Sequence, residues 1–230
     1  MNISNEIINF AIGKQSFSRK ELFENFCNLS KKSLSQQLYR LLKSNRLKRI
    51  EQGVYGLPVS LFAVSEEIKQ LNAILKTQFP FADFCLWSSN VIMPFMHHIP
   101  NLNFIYVDVE NDVAESVFNF LRSNQPKPIF FRPSKEEFIR YVVGVEAIII
   151  RVLISESPLQ MVENIYVPTL EKVLVDIAGD VEFYFLQGAE ITYFYRNLLE
   201  CNKINKRKLL RYASRRGRRE EVEQLYNDAL

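Results

Sequence analysis

Glycine is scarce, with 7 in 230 residues, and this poverty argues against the glycine-rich loops that cradle phosphates. No G-x-x-x-x-G-K, G-x-S-x-G or HExxH sequence occurs, and the G-S motif with paired aspartates used by nucleotidyltransferases is absent as well. The three cysteines, Cys27, Cys85 and Cys201, are odd in number and far apart. That pattern excludes a disulfide framework and a CxxC metal site. Long hydrophobic runs are also missing. Ala147-Ile148-Ile149-Ile150 is interrupted by Arg151, and a bilayer span needs about 20 apolar residues. Met1 to Phe10 carries Asn5 and Glu6 and has no apolar core of an export signal. A reduced, cytoplasmic protein without metal, cofactor or catalytic activity is the expectation.

What is present is apolar mass. Hydrophobic residues make up 47% of the chain and aromatics 13%, including 18 Phe and 10 Tyr, enough for a packed core in one or two domains. The net charge of +3 conceals a strong segregation. Met1 to Pro58 has 10 Lys/Arg against 4 Asp/Glu, Val59 to Asn202 has 10 against 18, and Lys203 to Leu230 has 9 against 4. A basic head and tail flanking an acidic middle imply separate surfaces for separate partners, with only the basic ones suited to a polyanion.

In the head, Ile7, Ile8, Ala11 and Ile12 share one helical face over about Ser4 to Ile12, with Gly13 as the stop. Ser18 and Glu21 form a capping box that starts a second helix, its inner face being Leu22, Phe23 and Phe26. A third helix follows, capped by Ser30 or Ser33, with Leu34, Leu38, Leu41 and Leu42 as its buried stripe. Its other face presents Lys31, Lys32, Ser35, Gln36, Tyr39, Arg40 and Lys43, side-chain types that contact phosphates and base edges. Leu47 to Leu57 then reads as a short hairpin around a Gln52-Gly53 turn. Three short helices and a basic hairpin give a winged helix-turn-helix over residues 1–58. Its third helix is expected to enter the major groove of double-stranded DNA, with Lys48 and Arg49 on the flanking backbone. A solvated charged face, or a module that binds protein, are the competing readings of the same residues.

Residues 59–230 read as a mixed α/β domain. Helices are expected at Phe62–Phe79 with Ser65 as a cap or second start, at Asn111–Ser123, and from a Ser134/Glu137 cap to about Val142. Strands are expected at Phe84–Trp87, Asn103–Val109, Pro128–Phe131 and Ala147–Ile154. Asp108 and Glu110 form a D-x-E pair at a strand end, which in a degenerate nuclease would bind a metal, but no Lys follows at nuclease spacing. His97 and His98 are adjacent, so their side chains diverge and do not share a metal; acid–base chemistry stays open for them. Thr169 is expected to cap a helix with Leu170, Val173, Leu174 and Ile177 inward. Helices at Gly188–Cys201, at Lys206–Arg216 behind Asn205, and at Arg218–Leu230 complete a helical lobe. Between Lys203 and Arg219 there are 9 Lys/Arg and no acid, on a helix that keeps Leu209, Leu210 and Ala213 as a stripe. This run is a solvated face or a docking surface for an acidic partner, nucleic acid or protein. Without Trp or Phe it is poorly built for a membrane surface.

Two stretches resemble the AbiEi-type antitoxins of bacterial type IV toxin–antitoxin systems. One is Phe17-Ser18-Arg19-Lys20-Glu21-Leu22 through Gly53-Val54-Tyr55. The other is Val167-Pro168-Thr169-Leu170-Glu171-Lys172-Val173-Leu174-Val175-Asp176 together with the later helix from Ile204 to Arg216. The resemblance implies an α+β protein that represses its own operon through the winged helix. It further implies a C-terminal domain that counteracts a nucleotidyltransferase-like toxin, without necessarily forming a stable complex. The basic surface of that family corresponds here to Lys206, Arg207, Arg211, Arg215, Arg216, Arg218 and Arg219. No catalytic or metal-binding residue is implied.

Overall fold

The protein is α+β. A computed structural model describes the chain except residues 1–2, 13, 15, 44–46, 57–61, 98–102 and 203, and the side chains of Asn5, Asn9, Ile12 and Cys201. Gly13 as a helix stop, the boundary at Pro58–Val59, His98 and Lys203 therefore lie outside the described residues. The backbone divides into two compact units, Met1–Leu61 and Phe62–Leu230, called the head and the body below.

The head has three helices, α1 (Ile3–Ile12), α2 (Arg19–Asn25) and α3 (Lys31–Lys43), and three short strands, β1 (Phe17–Ser18), β2 (Lys48–Glu51) and β3 (Val54–Gly56). The strands form an antiparallel sheet in the order β1-β3-β2. The two-residue strand β1 is not signalled by any periodicity. Its Phe17 reaches the core because it pairs with Tyr55. Ser18 leaves β1 directly as the cap of α2, its hydroxyl accepting from the Glu21 amide while Glu21 returns a bond to the Ser18 amide. The hydroxyl of Ser30 accepts from the Ser33 amide and starts α3. The β2–β3 turn is Gln52-Gly53, where Gly53 adopts φ +80°, a conformation costly for any residue with a Cβ. Ile7, Ala11, Phe17, Leu22, Leu34, Leu38, Leu41, Leu47 and Tyr55 close one apolar core, with Phe10, Phe23 and Phe26 packed around it.

The body is built on a six-stranded mixed sheet in the order β6-β7-β5-β4-β9-β8. Its strands are β4 (Phe84–Ser88), β5 (Phe104–Val109), β6 (Ile129–Phe131), β7 (Ala147–Val152), β8 (Leu159–Val162) and β9 (Ile165–Pro168). β5, β6 and β7 run parallel, β4 is antiparallel to β5, and β9 is parallel to β4. The helices are α4 (Glu66–Gln78), α5 (Asn111–Asn124), α6 (Lys135–Glu137, continued as a π-helical turn over Phe138–Val142), α7 (Leu170–Ile177), α8 (Ala189–Cys201), α9 (Lys206–Arg215) and α10 (Arg219–Asp228). The first of these is shorter than the apolar pattern predicts. Ser65 caps it through the Ile68 amide, and Phe62 to Val64 stay outside.

Alternation along the strands separates two buried faces. On one, Phe84 meets Phe79 at the end of α4, and Phe79 meets Phe120 of α5. On the other, Trp87 and Tyr106 stack at 4.5 Å, Phe183 lies against both rings, and Phe104 meets Phe138. The β8–β9 hairpin is an unanticipated element. It turns on Glu163-Asn164, both at positive φ, without the Asn-Gly or Asp-Gly dipeptide that normally announces such a turn. Thr169 occupies the N-cap of α7 with its hydroxyl unbonded among the described residues, so it does not act as the predicted side-chain cap.

Candidate functional site

In the head, the packing of α3 decides what is displayed. With Leu34, Leu38 and Leu41 inward, Lys31, Lys32, Gln36, Tyr39, Arg40 and Lys43 are exposed, Tyr39 to 64%. Among the described residues none of these side chains makes a hydrogen bond or ion pair. Ser35 differs. It is half-buried, its hydroxyl donates to the Lys31 carbonyl at 2.6 Å, and it accepts from Arg19 Nη2 at 2.7 Å. Arg19, the first residue of α2, adds a cation beside α3 that sequence reasoning missed, and its guanidinium lies 5.5 Å from the Phe23 ring centroid. Its position directly after the Ser18 cap is the only local signal. On β2, Lys48 and Arg49 are exposed, with Arg49 Nε donating to the Glu51 carbonyl at 3.3 Å. The acid Glu21 is occupied elsewhere: hydrogen bonds from Lys14 and from the Ser18 amide hold its carboxyl down to about 2.

The body concentrates charge in its interior. Register places Asp108 of β5 beside Arg151 of β7. Arg151 donates Nε to Asp108 Oδ1 at 2.6 Å and Nη2 to Asp108 Oδ2 at 3.0 Å. Its Nη2 also reaches Asp176 at 3.0 Å and its Nη1 reaches Asp180 at 3.3 Å. Lys172, one helical turn before Asp176 on α7, donates to Asp108 at 2.7 Å and to Asp176 at 2.6 Å. From α9, Tyr212 donates its hydroxyl to Asp176 Oδ1 at 3.0 Å, and Arg216 pairs with Asp180. The guanidinium of Arg151 also lies 4.9 Å from the Tyr106 ring centroid and 5.6 Å from that of Trp87. The Tyr106 hydroxyl and Trp87 Nε1 are buried without a partner among the described residues.

Three carboxylates thus face three cations, four of the six groups buried and Asp180 and Arg216 half-buried at the edge. Burial alone would raise the Asp108 and Asp176 carboxyls, but the charges of Arg151 and Lys172 overcome it and hold both below the usual carboxylate range. Lys172 is held protonated against its burial by Asp108 and Asp176. Asp180 goes the other way. Burial first, and then the negative charge of Asp176, push it up to about 7. The D-x-E pair therefore does not converge: Asp108 is engaged by Arg151 and Lys172, while Glu110 is exposed at the start of α5. Among the described residues no group of three or more His, Cys, Asp or Glu is placed to hold a metal. His97 is exposed, its amide donates to Glu190 at 2.9 Å, and its ring lies 5.9 Å from Tyr193.

The basic tail is split by the same hub. α9 turns Leu209, Leu210, Tyr212 and Ala213 inward and Lys206, Arg207, Lys208, Arg211 and Arg215 outward. One residue expected on the basic surface is corrected, and a second keeps about a third of its side chain exposed. Arg216 is turned into the hub, its side chain 17% exposed. Arg218 lies against Gly179, donating to its carbonyl at 2.9 Å, and pairs with Glu221. Gly217, at φ +67°, lets the chain turn between them. Lys206 pairs with Glu223 at 3.7 Å and Arg219 with the same residue at 3.9 Å. Glu156, itself at φ +61°, pairs with both Arg211 and Arg215. A groove of about 560 Å³ runs between Glu156, Arg207, Leu210, Arg211, Ser214, Arg215 and Arg219.

These features define a class: an α+β protein of two compact units, one displaying a cationic helix face without side-chain partners among the described residues and one closing its central charges into a buried hub. Within that class the chain belongs to a family of unknown function, DUF6577, which matches residues 33–230. The match takes in most of α3, the β2–β3 hairpin and the whole body. None of the curated proteins matches the chain. No helix among the described residues is long and apolar enough to cross a membrane.

Proposed function

We propose that the head is a winged helix-turn-helix that docks α3 in the major groove of duplex DNA and rests the β2–β3 hairpin on the adjoining backbone. The observation that carries this reading is the division of α3. Its leucines are buried, while Lys31, Lys32, Gln36, Tyr39, Arg40 and Lys43 stand exposed without side-chain partners among the described residues. A duplex supplies what such a face lacks, phosphate oxygens for the cations and base edges for the amide and guanidinium. With the resemblance to AbiEi-type antitoxins, the protein is read as a cytoplasmic, non-enzymatic autorepressor. Its body counteracts a nucleotidyltransferase-like toxin through the cationic face of α9 and the start of α10.

The test of the head is a gel-shift titration on the DNA upstream of the protein's own coding sequence. Gln36→Ala and Arg40→Ala should each cost about 1–3 kcal/mol there and far less on random duplex. Equal losses on both duplexes would remove base reading. For the body, reversing the outward residues Arg207, Arg211, Arg215 and Arg219 to Glu should abolish rescue of growth from the toxin while upstream-DNA binding survives. Intact rescue would make that face a solvated surface.

A further inference from the structure

The groove beside α9 is more specific than a basic patch. Arg207, Arg211 and Arg215 recur every fourth residue, and Arg219 extends the line past Gly217. Positions four apart on a helix rise about 6 Å along its axis, comparable to the separation of successive phosphates along a strand. We propose that this arginine line is a sequence-independent site for the phosphodiester backbone of double-stranded nucleic acid, with Glu156 occupying it as a built-in anion. The proposal goes beyond the function proposed above, which leaves open the chemistry of what α9 meets.

Three observations carry it. The first is the occupant already present. The Glu156 carboxylate takes Arg211 Nε at 2.7 Å and a guanidinium nitrogen of Arg215, so two neighbouring arginines converge on one oxyanion. Guanidinium forks suit carboxylate and phosphate alike. Those two hydrogen bonds hold the Glu156 carboxyl below its ordinary range. The second is that the pin is incomplete. Glu156 pairs with Arg211 and Arg215 alone, Arg219 has only a long contact of 3.9 Å to Glu223, and Arg207 has no ion pair among the described residues. The third is the lining. Among the described residues Leu210 is its single apolar lining residue, and no aromatic ring lines it. A docking surface for protein is expected to offer an aromatic or aliphatic anchor, and a single-strand groove offers rings on which bases stack. A line of arginines with no ring and only the buried Leu210 beside it suits a regular row of phosphates. Sequence reading does not separate this line from Arg216 and Arg218, because all of them fall in one basic run.

Arginine footprinting on the full-length protein tests the assignment. Phenylglyoxal modification, read by mass spectrometry, is run with and without random-sequence duplex DNA, duplex RNA, or polyglutamate of equal charge. Arg207, Arg211, Arg215 and Arg219 should be protected by duplex of either kind and not by polyglutamate. Arg151 and Arg216 should stay unreactive throughout, as internal controls for folding. Protection by DNA alone or by RNA alone names the source and still supports the site. No protection by either duplex, or equal protection by polyglutamate, overturns it in favour of an acidic protein partner. Arg19, Arg40 and Arg49 report on the head in the same digest, so a failed head and a failed body site are read apart. Glu156→Gln should tighten binding of random duplex, followed by fluorescence anisotropy, by about two- to fivefold, the size expected when an exposed ion pair stops competing. Unchanged or weaker binding would make Glu156 a clamp and refute its role as occupant. Loss of growth rescue in the reversed-charge protein without any duplex footprint overturns the phosphate site and leaves the antitoxin reading standing.

Discussion

The two units handle charge in opposite ways. The head closes an apolar core and leaves the cations of α3 without partners among the described residues. The body buries Arg151 and Lys172 against Asp108 and Asp176, and draws Arg216 from its most basic helix onto the half-buried Asp180 at the edge of that hub. A count of Lys and Arg is therefore a fair guide to surface potential in the head and a poor one in the body. What a buried pair contributes to net stability is modest, because desolvation offsets attraction. Removing one partner is costly, because the other charge is left stranded.

The sharpest way to break the contrast is to remove a hub carboxylate. Asp108→Ala leaves Arg151 and Lys172 short of an anion in the interior, and should destabilise the body by about 3–5 kcal/mol in urea unfolding. Arg40→Ala in the head should stay within about 0.5 kcal/mol. Similar losses for the two would mean that the hub is not an obligatory network. A finer comparison runs along α9 itself. Arg216→Ala should cost about 1.5–3 kcal/mol, the range for a hydrogen bond to a charged group. Arg211→Ala, exposed five residues earlier, should be near neutral. Equal costs would erase the division between inner and outer arginines.

The hub also gives the body a pH signature with two opposing parts. Asp108 and Asp176 have folded-state values below the ordinary 3.8, so their contribution is present above that value and is lost as pH falls through the acid range. Asp180 is raised from 3.8 to about 7, so its contribution is present in acid and is lost as pH rises between those values. Urea midpoints at pH 7, 5, 4 and 3 should therefore rise on mild acidification and then drop. Asp180→Asn should remove the rise and keep the drop. A rise that persists in Asp180→Asn would assign it to another group.

How much of this was legible in the sequence follows from the range of each signal. In the head the cues are local. The Ser18–Glu21 box, the Leu34-Leu38-Leu41 seam and the Gln52-Gly53 turn each close within about two helical turns, and each is where the pattern put it. In the body the helices and central strands follow their periodicities, but the hub does not. Arg151 reads as the end of an apolar run. Asp108 reads as a strand-end acid paired with Glu110. Their bond joins positions 43 residues apart, and Lys172 reaches Asp108 across 64. The i,i+4 pair Lys172–Asp176 is a local hint, but the same spacing on α7 fits a solvated surface pair equally well. The β8–β9 hairpin escaped because Glu163-Asn164 is a weak turn dipeptide.

The central claim, that the open cations of the head serve a duplex, is tested most directly by titrating the full-length chain onto its upstream DNA at two salt concentrations. Affinity should fall steeply as salt rises, and Lys48→Ala and Arg49→Ala should each flatten the slope by about one unit on any sequence. Binding insensitive to salt, or a slope left unchanged by both substitutions, would contradict it.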